Sequence, residues 1–280
     1  MAPLAQVEER EATGEIAALY DDFRATMRSS FVPTVIRALA VHPSYLVPAW
    51  AALRPNLETL EAEELAGRLR VACVDRLKES VGPARSPVVS LTDATRAEIR
   101  AVLETFFYVI PKALVMITAL REAWEGRPLT GHARAGQGRT VPRGAPASMP
   151  AIPLLPPEPD DPRVRRIFEA ALRMLGGAAV PSLYRTLGRW PDYLEAVWES
   201  VTDERVLAAY RAAAPRLVDD VARGGHALPF AFALDRATGA RILDAAGVAA
   251  IDTILAAYPR AMPETLLQVA RLLRDLDAPR

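Results

Sequence analysis

Apolar positions return along this chain with the spacing of a helix that faces a core. Ile16, Leu19, Tyr20, Phe23 and Met27 fall at i, i+3, i+4 and i+7, which predicts a helix over residues 13–28 with Thr13 placed to cap it. Pro33 and Pro43 each suit the first turn of a further short helix, and Pro48 should kink or confine the second. Residues 58–80 read as a charged amphipathic helix with Leu57, Leu60, Leu65, Leu69, Ala72 and Leu77 on its buried side. A long helix is expected over 93–124, bent at Pro111.

The same order then returns. Val32, Pro33, Arg37, Leu39, Pro43, Tyr45, Leu46 and Trp50 recur 148 residues later as Val180, Pro181, Arg185, Leu187, Pro191, Tyr193, Leu194 and Trp198. Before them, Asp161 can cap a helix opened by Pro162, whose stripe is Val164, Ile167, Phe168, Ala171 and Leu175. A counterpart of the charged helix covers 203–222. Further on, Ile99, Leu103, Pro111, Leu114 and Leu120 reappear at an offset of 152 as Ile251, Leu255, Pro263, Leu266 and Leu272, within a predicted helix over 238–276. One long repeat of this kind means two copies of a small unit rather than a solenoid. No stretch alternates as a strand does. The expected fold is all-α: two tandem helical repeats, residues 1–125 and 161–280, forming an internal pseudo-dimer with any site between them. Residues 126–160 form a linker, for positions 126–162 hold nine prolines and five glycines. Its apolar turn, Ile152 to Leu155, can lie against one half.

Composition narrows the choice of partners. Lys plus Arg equal Asp plus Glu at 34 each, so nothing favours nucleic acid or an anionic membrane surface. No run of about 18 apolar residues stands out, and no membrane span is expected. The N-terminus is polar and acidic, which makes the cytoplasm the default location. The single cysteine, Cys73, lies in an apolar stripe and reads as a buried small hydrophobe. His42, His132 and His226 are never at ligand spacing on one helix, so no metal and no cofactor is expected. The paired acids Asp21–Asp22, Asp160–Asp161 and Asp219–Asp220 fall at helix ends or on polar faces. Arg37 and Arg185 could grip a carboxylate, or bond carbonyls and an acid of their own repeats. Tyr45, Trp50, Tyr193 and Trp198 read as core.

The stretches EATGEIAALYDDFRATM, FVPTVIRALAVHPSYLVPAWAALRP and AVPSLYRTLGRWPDYLEAVW resemble the halocarboxylic acid dehalogenase family of the DehI type, the group I 2-haloacid dehalogenases. The likeness covers roughly residues 10–124 and 161–276. More distantly, each half resembles the alkylhydroperoxidase and carboxymuconolactone decarboxylase helical unit. The resemblance implies an all-α pseudo-dimer whose pocket displaces halide from a small 2-haloalkanoic acid by direct attack of water, with inversion and no cofactor. The family's catalytic aspartate follows a serine; here that pair is Ser182–Leu183. Its asparagine precedes the helix-breaking proline; here Ile110 does. Ala113 stands where a larger residue is expected, and Tyr258 matches a pocket tyrosine. Helical regularity fails in both copies at the starts after Pro33 and Pro181 and at Pro111 and Pro263, and broken helix ends gather at sites; with these matches, Phe31, Thr34, Ile110, Ala113, Ser182, Leu183 and Tyr258 are the expected pocket. Leucine and isoleucine take no proton, so the resemblance leaves two readings. One is a hydrolase of carbon–halide bonds with a displaced base, such as Asp252. The other is a non-catalytic member holding a small apolar ligand. The expected partner is a small molecule, with a homodimer also open.

Overall fold

The computed structural model describes residues 4–278 except 81, 85, 134–137, 175 and 177–178. Among them are eleven helices and no strand. In order these are α1 (Gly14–Met27), α2 (Thr34–Leu39), α3 (Pro43–Leu57), α4 (Leu60–Ser80), α5 (Asp93–Trp124), α6 (Pro162–Met174), α7 (Ser182–Leu187), α8 (Pro191–Thr202), α9 (Glu204–Gly225), α10 (Arg236–Ile242) and α11 (Ala245–Leu276).

The prolines act where the sequence put them. Pro33 and Pro181 hold ψ at 152° and 142°, outside the helical region, and the short helices α2 and α7 start at the next residue. Pro43 and Pro191 open α3 and α8. Pro48 does not confine its helix: α3 runs on through it and through Pro55 to Leu57. Inside α5 and α11, Pro111 and Pro263 lie buried without ending the helix. The helix expected over 238–276 is instead two. Leu243 and Asp244 are extended, and the Asp244 carboxylate caps the new start by accepting from the Gly247 N–H at 2.7 Å.

α5 and α11, each of 32 residues, pack along one another as the largest helix–helix interface. α4 and α9 pack on them and on each other, while α1 rests on α3 and α6 on α8. Tyr20, Phe23, Met27 and Phe106 are almost wholly buried on this core, as are Phe168 and Tyr210. Cys73 is buried as well, and burial pushes its thiol up to about 12. Leu175, placed in the α6 stripe by its spacing, lies outside the described residues.

α5 departs from the expected absence of a membrane-length apolar run. It is long and apolar enough to cross a membrane by length and composition, yet 78% of that window is buried inside the protein. Its stretch from 109 to 120 is buried without a break, where α4, α9 and α11 pack on the helix.

The segment between the two sets of helices has neither helix nor strand in its described part, but it is pinned. Leu60 N–H donates to Arg139 O at 2.8 Å, Val141 N–H to Glu58 O at 2.9 Å and Leu155 N–H to Arg185 O at 3.0 Å. Leu129 and Phe232 bond each other's backbones at 2.9 Å, Ile152 is buried, and Leu154 and Leu155 pack against the core. The linker thus satisfies its backbone on the bundle it crosses.

Candidate functional site

Four elements meet around one cavity of about 620 Å³, counting its open mouth. The chain entering α2 brings Phe31, Pro33, Thr34 and Val35; that entering α7 brings Ala179, Pro181, Ser182 and Leu183. α5 supplies Phe106, Ile110 and Ala113, one face at i, i+4 and i+7, and α11 supplies Tyr258, Met262 and Thr265 at the same spacing, with Ala261. All seven residues expected from the sequence (Phe31, Thr34, Ile110, Ala113, Ser182, Leu183 and Tyr258) line it. Five of the other eight were legible from the offsets in the sequence. Moving the seven by 148 or 152 positions gives Ala179, Met262, Thr265, Val35 and Phe106, along with the Thr34–Ser182 pair itself.

The lining is mostly hydrocarbon. Leu183 is 1% exposed, and Phe31 packs against Phe106 with ring centroids 4.9 Å apart and planes tilted by 57°. Its polar groups are hydroxyls. Thr34 Oγ1 and Ser182 Oγ are 2.8 Å apart across the cavity floor. Only one of their two protons can lie between them, so the other is free to donate into the cavity. Tyr258 Oη is buried and has no hydrogen-bond partner; burial raises its pKa, with the Arg37 charge pulling the other way. Thr265 is satisfied, donating to Ala261 O at 3.0 Å. Among the described residues, no carboxylate, imidazole, thiol or amine lines the cavity. Among the described residues no group of three His, Cys, Asp or Glu side chains could hold a metal.

A charged network lies under the floor. Arg37 is fully buried, and its Nη2 donates to Thr34 Oγ1 at 3.3 Å and Ser182 Oγ at 3.4 Å. Its Nη1 donates to Val32 O at 3.1 Å and its Nε to Gln6 Oε1 at 3.1 Å. Arg185 donates to Leu155 O at 2.6 Å and to Glu8 Oε1 at 2.8 Å, while Glu8 Oε2 stands 3.8 Å from Arg37 Nε. Glu8 thus bridges the two arginines. Burial pushes its carboxyl up, but the Arg185 bond and both guanidinium charges outweigh this and hold it below the ordinary value. Burial lowers the Arg37 pKa against the pull of Glu8. The two arginines therefore bond carbonyls, as the simpler sequence reading had it, but they share one acid from the first half. Asp252 is engaged elsewhere: it accepts from Trp124 Nε1 at 2.7 Å and pairs with Arg236 at 2.9 Å, outside the cavity.

Known proteins share this architecture. The family described as halocarboxylic acid dehydrogenase DehI matches residues 30–166. A configuration-inverting 2-haloacid dehalogenase from Alcaligenes xylosoxydans xylosoxydans is 28% identical over 285 residues, covering 97% of this chain and 93% of its own. Another, from Pseudomonas sp. (strain 113), is 31% identical over 195 residues; that match takes in 68% of this chain and 64%, just under two thirds, of the relative. Over residues 30–166 the chain resembles the DehI family. An (R)-2-haloacid dehalogenase from Pseudomonas putida is 26% identical, over 82% of this chain and 78% of its own. In fold, a D-2-haloacid dehalogenase mutant superposes with a TM-score of 0.89 at 21% identity, over 98% of this chain and 96% of that one. A D-2-haloacid dehalogenase in complex with L-LA superposes at 0.86, also at 21% identity, over 98% of this chain and 97% of that one.

Proposed function

We propose that this protein is a 2-haloacid dehalogenase-like hydrolase, and that its cavity takes a short 2-haloalkanoic acid. Two halves, residues 1–125 and 161–280, would enclose the ligand about an approximate two-fold axis, joined by the linker at 126–160. The observation that carries the reading is the cavity itself: a hydrocarbon pocket whose few polar groups converge. An acid carboxylate would accept from the free Thr34 or Ser182 hydroxyl and from Tyr258 Oη, with the Arg37 guanidinium directly beneath. The halogen and alkyl carbon would lie against Phe31, Ile110, Leu183 and Met262. Water would attack the halogen-bearing carbon from the side opposite the halide.

The lining sets the expected rate. A positioned general base contributes roughly 10²–10⁴-fold, and neither Leu183 nor Ile110 can act as one. Turnover is expected to be slower, by up to about that factor, than in a family member with a carboxylate at position 183. That replacement also favours a second reading, in which the cavity binds a small acid without hydrolysing it. Halide release from both enantiomers of 2-chloropropionate decides between them, run beside a binding measurement on the same compound. Slow release of one or both enantiomers supports the hydrolase; binding with no release above the uncatalysed rate supports the second reading; no binding refutes both.

A further inference from the structure

A second cavity, of about 950 Å³ counting its open mouth, adjoins the first between the end of α6 and the middle of α11. Tyr258, Ala261, Met262 and Thr265 of α11 face the central cavity, whereas Thr253, Arg260, Ala261 and Glu264 face this one. At 100° per residue, position 261 sits where the two faces meet. Its side chain is a single methyl, so the wall between the cavities is thin at that point. The last residue of α6, Met174, and Gly176 line this cavity, and Ala179 and Pro181, a few positions further along the chain, line the central one.

Among the described residues, Glu264 is the only carboxylate lining either cavity. It is half-buried, and no described residue gives it a hydrogen bond or an ion pair. Such a carboxylate costs stability when ionised, and a fold does not keep one cheaply. Burial holds its pKa above the ordinary carboxylate value, with the Arg211 charge acting the other way. Arg260 lines the same cavity. On α7, Tyr184 is fully buried and bonds Gln268 Oε1 at 2.8 Å. The Glu264 side chain has three rotatable bonds and no described partner, and Ala261 is the one residue that lines both cavities.

We propose that Glu264 is the displaced general base of the hydrolase reading, on which this inference rests. It takes a proton from the water whose oxygen bonds to the halogen-bearing carbon. The halide leaves with the carbon–halogen electron pair, the product is the 2-hydroxy acid of opposite configuration, and the proton passes from Glu264 to solvent. A raised carboxyl pKa suits this task, because a base works best with a pKa close to the operating pH.

The test is halide release from each enantiomer of 2-chloropropionate by the full chain, Glu264→Gln, Glu264→Asp and Ala261→Val, across pH 4 to 9, with melting and ligand binding followed in parallel. Glu264→Gln should lower release by about 10²-fold or more and remove the acid limb of the pH profile. Glu264→Asp should retain part of the activity, and Ala261→Val should lower kcat while binding persists. Because Glu264 titrates high in the folded state, its ionised form is disfavoured there, and the glutamine variant should melt no lower than the unsubstituted protein at neutral pH. Equal release by the unsubstituted protein and Glu264→Gln over the whole range overturns this inference alone. No release by the unsubstituted protein ends the hydrolase reading, and this inference with it.

Discussion

Replacing Arg37 by methionine tests the network that joins the two halves beneath the cavity. The substitution keeps most of the bulk of a fully buried side chain and removes its charge and five donors. Four acceptors lose a partner: Val32 O, Gln6 Oε1, Thr34 Oγ1 and Ser182 Oγ. Glu8 loses one of its two cations. Breaking a buried pair by removing one partner costs about 3–5 kcal/mol. Two facts lower that figure here: the Glu8 side chain is 20% exposed, and it keeps Arg185 at 2.8 Å. Removing Arg37 also returns the cost of burying its charge. The expected loss is about 2–3 kcal/mol. For a chain of this length that corresponds to a melting temperature lower by roughly 5 °C. Urea unfolding of Arg37→Met, Glu8→Gln and the double variant would measure it, with a coupling between the two sites of about 0.5–3 kcal/mol. If Arg37→Met unfolds within about 0.5 kcal/mol of the unsubstituted protein, or if the two changes simply add, the network does not carry the stability argued for it.

Three further outcomes follow from the same geometry. Leu183→Asp combined with Ile110→Asn should raise 2-chloropropionate hydrolysis by about tenfold or more while lowering the melting temperature, since Leu183 is 1% exposed and a carboxylate there is desolvated; halide release and melting curves on one preparation check both. Tyr258→Phe removes a buried hydroxyl that has no protein partner, so stability should hold or rise, whereas binding of 2-chloropropionate should weaken about tenfold by titration calorimetry. Asp22 accepts from Trp50 Nε1 at 2.7 Å, from Arg54 at 3.3 Å and from Arg143; burial pushes its carboxyl up, but these partners outweigh it and the pKa falls below 3.8. Its contribution is then fully present above about pH 4 and is lost as pH drops through the depressed value, so Asp22→Asn should lower stability at pH 7 and flatten the acid side of the stability curve.

Local chemistry accounts for what the sequence determined. The periods of apolar residues, the caps and the prolines specify helices over short distances, and each of the eleven helices falls in a stretch with a helical pattern. The prolines pointed to the pocket as well, because helical regularity fails after Pro33 and Pro181 and unpaired helix ends gather at sites. Thr34 and Ser182 were expected in one site on that ground, and they lie 2.8 Å apart. The break at Leu243–Asp244 had a local signal too, an aspartate three residues before the glycine whose N–H it caps. Other features depended on packing between distant segments. Nothing near Glu8 in the chain says that it will bridge Arg37 and Arg185, residues 29 and 177 positions away. Nor does composition say that a proline-rich linker will spend its backbone groups on Glu58, Leu60 and Arg185. A buried charge or an unpaired amide must find a partner somewhere, and only the assembled bundle decides which one is within reach. The same holds for Glu264: its helix was legible, but the methyl-thin wall beside it arises only where two cavities meet on one face of α11.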